Sequence, residues 1–435
     1  MSEASVAAIL AVLDADYPEA AAAVRGRFDG LDAPTKKRKV DDANGSAAAG
    51  GAHELGMATK LVQGHFPQPD PYGAANMPIY QTATFKQVSA TEFGDYDYTR
   101  SGNPTRTAAE LALAEAEGCK HAYTFTTGMA ALSAVTRLCD AGTEIILSDD
   151  SYGGTYRILD KIALRLGIGI KYVALDGDTG PANLEAACTP QTRLVMLESP
   201  TNPMHRVCDV RAISAVCKRH GALLEVDNTL MSPLLSSPLK LGADIVVHSA
   251  TKFCCGHSDT MAGVVCVNDD ALAKQIYFVA NAEGTALAPF DCWLLLRGLK
   301  TMHLRTYKAQ DNAVAVARFL QTHAKVTRVL YAGLPDHPGH ALHASQSSGA
   351  GSVVCFTTGD RALSQRVVSN TRLFNITVSF GSVHSLISCP CDMSHASIPA
   401  EVRASREFPE DLVRISVGVE DVGDLIADLD QALLS

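Results

Sequence analysis

Chemically capable residues in this chain stand where short apolar runs end. Lys252 closes the segment SATK at 249–252, after the apolar residues 245–247. Asp227 ends the run ALLEVD at 222–227, Tyr152 follows EIILSDDS at 144–151, and ESPTNP at 198–203 follows RLVML. Thr127-Gly128-Met129 precedes a helix-like stretch at 130–138. A desolvated lysine amine loses its proton and becomes a nucleophile toward carbonyl carbon. A carboxylate at the end of an apolar run needs a cationic partner. A glycine-led helix N-terminus aims free N–H groups at a phosphate, and Ser249 and Thr251 add hydroxyl donors. An amine, a carboxylate for a ring nitrogen, an aromatic face in Tyr152 and a phosphate cradle are what a pyridoxal-phosphate site requires. Taken singly, each has a plainer role. The lysine is a solvated surface residue, the aspartate a turn former, and the Thr-Gly pair a helix cap.

Elements at regular spacing must position these groups. Apolar runs at 143–149, 169–175, 193–199, 222–228 and 244–249 alternate with helical patterns, such as 210–219 with Ile213, Val216 and Cys217 on one face. This alternation predicts an α/β domain with a mostly parallel sheet and helices on both faces. Ligands then bind beyond the carboxyl ends of the strands. Gly167-Ile168-Gly169 is not a dinucleotide fingerprint, because it lacks the third glycine and precedes a strand. Past residue 300 a helical stretch at 304–323 leads to strand candidates at 326–331, 352–357 and 412–417 and a terminal helix at 422–433. These read as a smaller second α/β domain.

Composition narrows the function classes. The 435 residues are 47% hydrophobic and 19% charged, with a formal net charge of −10. This is a globular composition without the basic stripe of a nucleic-acid surface. No apolar run approaches the roughly 20 residues that span a bilayer. The 12 cysteines form no CxxC pair and read as free thiols in a reducing compartment. Cys254, Cys255 and His257 match no standard zinc spacing, so no metal is expected. Residues 1–56 differ from the rest, with a helix expected at 4–25 and a linker at 29–56. The cluster KKRKV at 36–40 is either a nuclear-localisation signal or a solvated basic run beside Asp41-Asp42. Glu3, Asp14, Asp16 and Glu19 make a poor transit peptide, which favours a cytoplasmic location.

From residue 57 onward, ordered motifs resemble the cystathionine synthase and lyase family of pyridoxal-phosphate enzymes. They are PIYQT at 78–82, YTRSGNPT at 98–105, ESPTNP at 198–203, DNT at 227–229, SATK at 249–252, RGLKT at 297–301 and SHASIP at 394–399. Within that family NAEG at 281–284, LAPFDCW at 287–293, AGLPDHPGH at 332–340 and VSFGSV at 378–383 are most similar to the plant-type β-lyases. The resemblance implies the pyridoxal-phosphate transferase fold, like that of aspartate aminotransferases, with a large mostly parallel-sheet domain and a smaller C-terminal α/β domain. It divides the chain into an extension at 1–56, an arm at 57–103 that contacts a neighbouring subunit, a cofactor-binding domain at 104–300 and a C-terminal domain at 301–435.

The same resemblance implies roles. Lys252 forms the Schiff base and moves protons, assisted in catalysis by Tyr152 and Tyr98. Asp227 pairs with the pyridine nitrogen, and Tyr152 stacks on the ring. Gly128, Met129, Ser249 and Thr251 hold the phosphate, joined across a subunit boundary by Tyr98 and Arg100. Arg414 grips the substrate carboxylate with help from Ser379 and Asn202, the latter also near the cofactor. The implied partners are a small amino-acid substrate and further copies of the chain in a homotetramer, with neither nucleic acid nor membrane. The implied reaction is β-elimination of L-cystathionine to homocysteine, pyruvate and ammonia, a step of methionine biosynthesis. A γ-elimination or γ-replacement is the alternative on the same scaffold. A non-catalytic nuclear binder is the alternative of another class. The plant-type relatives also bring a plastid location as the alternative to the cytoplasm.

Overall fold

The apolar runs become strands where the spacing expects them. Behind β1 (His121–Phe125) come β2 (Glu144–Ser148), β3 (Gly169–Val173), β4 (Thr192–Glu198), β5 (Leu223–Asp227), β6 (Ile245–His248) and β7 (Gly263–Val267). They form one seven-stranded sheet in the order β1-β7-β6-β5-β4-β2-β3. Strands β3, β2, β4, β5 and β6 pair in parallel, while β7 runs antiparallel to both β6 and β1. Side chains from both faces of the sheet are buried, as Ile145, Ile146 and Leu147 show on β2. This is why its strands read as continuous apolar runs rather than as alternating ones. The computed structural model describes residues 55–63, 66–393 and 408–435. The helix expected at 4–25, nearly all of the linker, the basic cluster at 36–40 and the SHASIP motif at 394–399 lie outside the described residues. Leu55–Ser435 forms one compact unit.

Helices return the chain between parallel strands. Val210–His220 is capped by Asp209, whose carboxylate accepts the Ala212 N–H, and it stops at Gly221 with φ 66°. Its Ile213, Val216 and Cys217 are buried, the face expected from the sequence. The helix expected at 304–323 in fact runs Pro289–Thr322. Proline at the first turn starts it, and its early turns bury Leu295, Leu299 and Met302. Gly298 on this helix permits close approach: a Cβ there would lie 2.5 Å from the Cys255 carbonyl. The helix therefore packs directly behind the loop that carries Lys252.

A second sheet holds β8 (Arg328–Leu330), β9 (Val353–Thr357), β10 (Asn375–Ile376), β11 (Leu386–Ser388) and β12 (Val413–Ser416) in the order β10-β11-β12-β9-β8. Only the β10–β11 pair is parallel. The terminal helix Val422–Leu434 packs Leu425 and Leu429 into the same core as Val354, Phe356 and Ile415. The helix Asp270–Glu283 and strands β1, β7, β10 and β11 had no counterpart in the sequence reading. Among the described residues, no helix is long and apolar enough to cross a membrane.

Candidate active site

Lys252 sits in the turn after β6. Its backbone N–H donates to Ser249 O at 3.0 Å, and its carbonyl accepts the Gly256 N–H at 2.7 Å. Arg305, from the helix Pro289–Thr322, braces that turn by donating to Phe253 O at 2.9 Å and to Gly298 O at 2.7 Å. The Lys252 amine donates to Ser379 Oγ at 2.7 Å. Burial first, and the Arg414 guanidinium second, pull the amine down to about 8, with Asp227 opposing them. Phe380 lies between the cations, its ring centroid 5.1 Å from Lys252 Nζ and 5.6 Å from Arg414 Cζ.

Asp227 ends β5, in register with Glu198 of β4 and Val247 of β6. Its Oδ1 accepts the Thr229 N–H at 3.0 Å. Burial raises its carboxyl above the ordinary value, while Thr229, His248 and Lys252 act in the lowering direction. Glu198 beside it is raised well above the carboxylate range by burial and by Asp227. Adjacent buried carboxyls of this kind favour a cation at the cavity wall.

Tyr152 stands just before the helix Gly153–Lys161 and donates its backbone N–H to Glu198 Oε1 at 2.6 Å. Its ring is 39% exposed at the cavity wall. Gly154 makes room for it, since a Cβ there would strike the Tyr152 ring and lie 2.8 Å from Met129 Sδ. Across the cavity, Thr127 caps the helix Gly128–Thr136 by accepting the Ala130 N–H. Thr127 O takes the Ala131 N–H. Among the described residues, the Gly128 and Met129 N–H groups have no such acceptor. A Cβ at Gly128 would lie 2.9 Å from Ser249 Cβ, so only glycine keeps this corner open.

Among the described residues Arg414 is the largest fully buried side chain, 2% exposed on β12. It donates to Asn202 Oδ1 at 3.0 Å, Val378 O at 2.8 Å and Ser379 O at 3.3 Å. Burial lowers its pKa, yet a guanidinium keeps its charge. The cavity between the two sheets has a volume of about 360 Å³, and its wall brings together Gly128, Met129, Tyr152, Asn202, Asp227, Ser249, Thr251, Lys252 and Arg414.

Other expected residues stand elsewhere. Ser379 lines a neighbouring cavity and reaches the site through its bond to Lys252. The Thr251 hydroxyl donates to Ala262 O at 3.2 Å and accepts the Ala262 N–H at 2.9 Å, so it also braces its own loop. Tyr98 and Arg100 are not in the wall of this cavity. Arg100 donates to Asn281 O at 2.9 Å, and its guanidinium lies 5.5 Å from the ring centroid of Tyr98, which is 46% exposed. Sequence reasoning passed over Glu198, Gly154, Phe380 and Arg305 as site residues. Glu198 carried a signal, because it opens ESPTNP at a strand end.

The sequence of residues 58–434 matches the family model described as "Cys/Met metabolism PLP-dependent enzyme". The chain belongs to this family. It is 59% identical over 363 residues, 83% of this chain and 78% of the relative, to the chloroplastic cystathionine β-lyase of Arabidopsis thaliana. It is 47% identical over 380 residues, 87% of this chain and 82% of the relative, to the cystathionine β-lyase of Neurospora crassa. The fold is similar to that of cystathionine γ-lyase from Lactobacillus plantarum complexed with L-serine. The TM-score is 0.85 and the identity 37%, covering 88% of this chain and 99% of that one. Membership in a pyridoxal-phosphate-dependent family makes pyridoxal phosphate the cofactor. The open Gly128 corner with its two N–H groups, the carboxyl pair at Asp227 and the desolvated amine of Lys252 fit that group.

Proposed function

We propose that this chain cleaves L-cystathionine by β-elimination, giving homocysteine, pyruvate and ammonia. The observation that carries the reading is the meeting of Lys252, Asp227 and Arg414 around one cavity. The 59% identity to a plant cystathionine β-lyase selects the substrate and the bond.

Pyridoxal phosphate, when bound, supplies the electron sink that lets a Cα proton and then a β-thiolate leave. Lys252 would hold its carbonyl carbon, Asp227 its ring nitrogen and Tyr152 its ring face. Gly128, Met129, Ser249 and Thr251 would hold its phosphate. Arg414 offers the substrate carboxylate a bidentate fork, with Asn202 and Ser379 fixing the guanidinium plane. Lys252, with a pKa pulled to about 8, is suited to take the Cα proton and to return one to the departing sulfur. Phe380 lies within cation–π reach of both the amine and the guanidinium.

Tyr98 and Arg100 serve the site of a second copy in this reading, which makes a dimer the smallest complete unit and a dimer of dimers the expected assembly. Exposed Tyr72, Val88 and Phe93 on the same arm support cover by another chain. A γ-elimination remains the second reading, favoured by the 0.85 TM-score to a γ-lyase. The plastid location is favoured over the cytoplasmic expectation by the chloroplastic plant relative. A fluorescent fusion with and without residues 1–56 separates the two locations. The function is tested by incubating the purified chain with L-cystathionine: pyruvate forms with the wild type and not with Lys252→Ala.

A further inference from the structure

We infer that Glu198 is the positioning residue that holds the ring-stacking tyrosine and the substrate-carboxylate clamp as one unit. The inference rests on the proposed reading of the cavity and adds a residue to it. Glu198 ends β4 and is 9% exposed. Its Oε1 accepts the Tyr152 N–H at 2.6 Å, and its Oε2 accepts the Asn202 N–H at 3.3 Å. Asn202 Oδ1 in turn accepts from Arg414 at 3.0 Å. One side chain therefore reaches the backbone of the residue that faces the ring and that of the residue that fixes the guanidinium.

The strand register places the same side chain next to Asp227. Parallel strands put paired residues on one face of the sheet. Glu198 thus stands at the point where β4 and β5 end together, with the Tyr152 helix on one side and the 199–203 loop on the other. Neither attachment is otherwise secured at these atoms. The helix Gly153–Lys161 has no side-chain cap of its own at Tyr152. The burial and the Asp227 neighbour that raise the Glu198 carboxyl also argue that it works as a hydrogen-bond acceptor rather than as a charge. A glutamine keeps one oxygen for the shorter bond from the Tyr152 N–H but turns its NH2 toward the Asn202 N–H, so it retains the first attachment and loses the second. A side chain without that oxygen leaves the Tyr152 N–H buried and unpaired, and Tyr152 and Arg414 lose their common anchor.

The test uses full-length protein loaded with pyridoxal phosphate and compares wild type, Glu198→Gln and Glu198→Met, the last keeping length without an acceptor. Three readouts are taken: cofactor dissociation constant, visible circular dichroism of the bound cofactor, and kcat and KM for L-cystathionine. Glu198→Met is expected to weaken the cofactor about tenfold, to shrink the visible dichroic band and to raise KM while lowering kcat. Glu198→Gln is expected to keep cofactor affinity and the dichroic band within about threefold of wild type while raising KM, since only the Asn202 attachment is lost. If Glu198→Met does not accumulate, Glu198→Asp, too short to reach the Tyr152 N–H, takes its place with the same expected losses. A dichroic band and KM unchanged in the acceptor-free variant would overturn the inference, and so would a glutamine variant that loses the cofactor and the dichroic band as fully as the methionine variant does. A wild type that binds no cofactor would instead overturn the reading of the cavity, so the failures are distinguishable.

Discussion

The Lys252 amine donates to Ser379 Oγ at 2.7 Å, and the Ser379 carbonyl accepts from Arg414 at 3.3 Å. A single residue in the segment between β10 and β11 therefore touches both the proposed general base and the proposed carboxylate clamp. The bond crosses from the first sheet to the second, so the relative placement of the two sheets is read out at the amine. Ser379→Ala is expected to lower kcat/KM about tenfold while leaving the bound cofactor's absorbance in place, as steady-state kinetics and a visible spectrum will show.

The amine of Lys252 is pulled to about 8 by burial and Arg414. A base acts only when unprotonated, so activity falls as pH drops below that value. The profile of kcat against pH is expected to carry an acid limb near pH 8, losing about tenfold per unit below it. A flat profile from pH 6 to 9 would remove Lys252 from that role.

Arg414 is buried, and its three acceptors set the plane of its fork. Arg414→Ala is expected to raise KM for L-cystathionine by about a hundredfold, with bound cofactor retained. Arg414→Lys restores little of the loss, because an ammonium cannot present the fork. Loss of the cofactor in Arg414→Ala would show that the residue supports the wrong group.

Asp150 lies under the same strand ends, bonded by the Thr201 hydroxyl. Burial raises its carboxyl from 3.8 to about 6, the Thr201 bond and Arg206 opposing. Between those values the folded chain binds more protons than the unfolded one, so this group lowers stability as pH rises from about 4 to 6. The full effect is on the order of 3 kcal/mol above that window. Asp150→Asn keeps an oxygen for Thr201 and removes the linkage. Its urea midpoint is expected to gain on the wild type as pH rises from 4 to 7; a constant difference would contradict the assignment.

Much of the first sheet was legible because its strands are buried on both faces and so read as unbroken apolar runs. Runs at 222–228 and 244–249 became β5 and β6 almost residue for residue. Strand β7 escaped notice because GVVCV follows the polar loop after Lys252 and pairs antiparallel, outside the strand–helix rhythm. The early turns of Pro289–Thr322 escaped because residues 289–303 are apolar on more than one face, buried against the Lys252 loop. Lys252, Asp227 and Tyr152 were visible as polar residues closing apolar runs. Arg414 was visible only through the family resemblance, since VRIS in a buried strand shows no partner for its charge. Glu198, Gly154 and Phe380 depend on contacts across strands and sheets, which spacing along one chain does not contain.

Elimination at Cβ and at Cγ releases different halves of L-cystathionine, so the products separate the two readings most directly. Purified chain, pyridoxal phosphate and L-cystathionine are combined, and the thiol and the keto acid are identified by mass spectrometry. Homocysteine with pyruvate is the expected result. Cysteine with 2-oxobutyrate would contradict it.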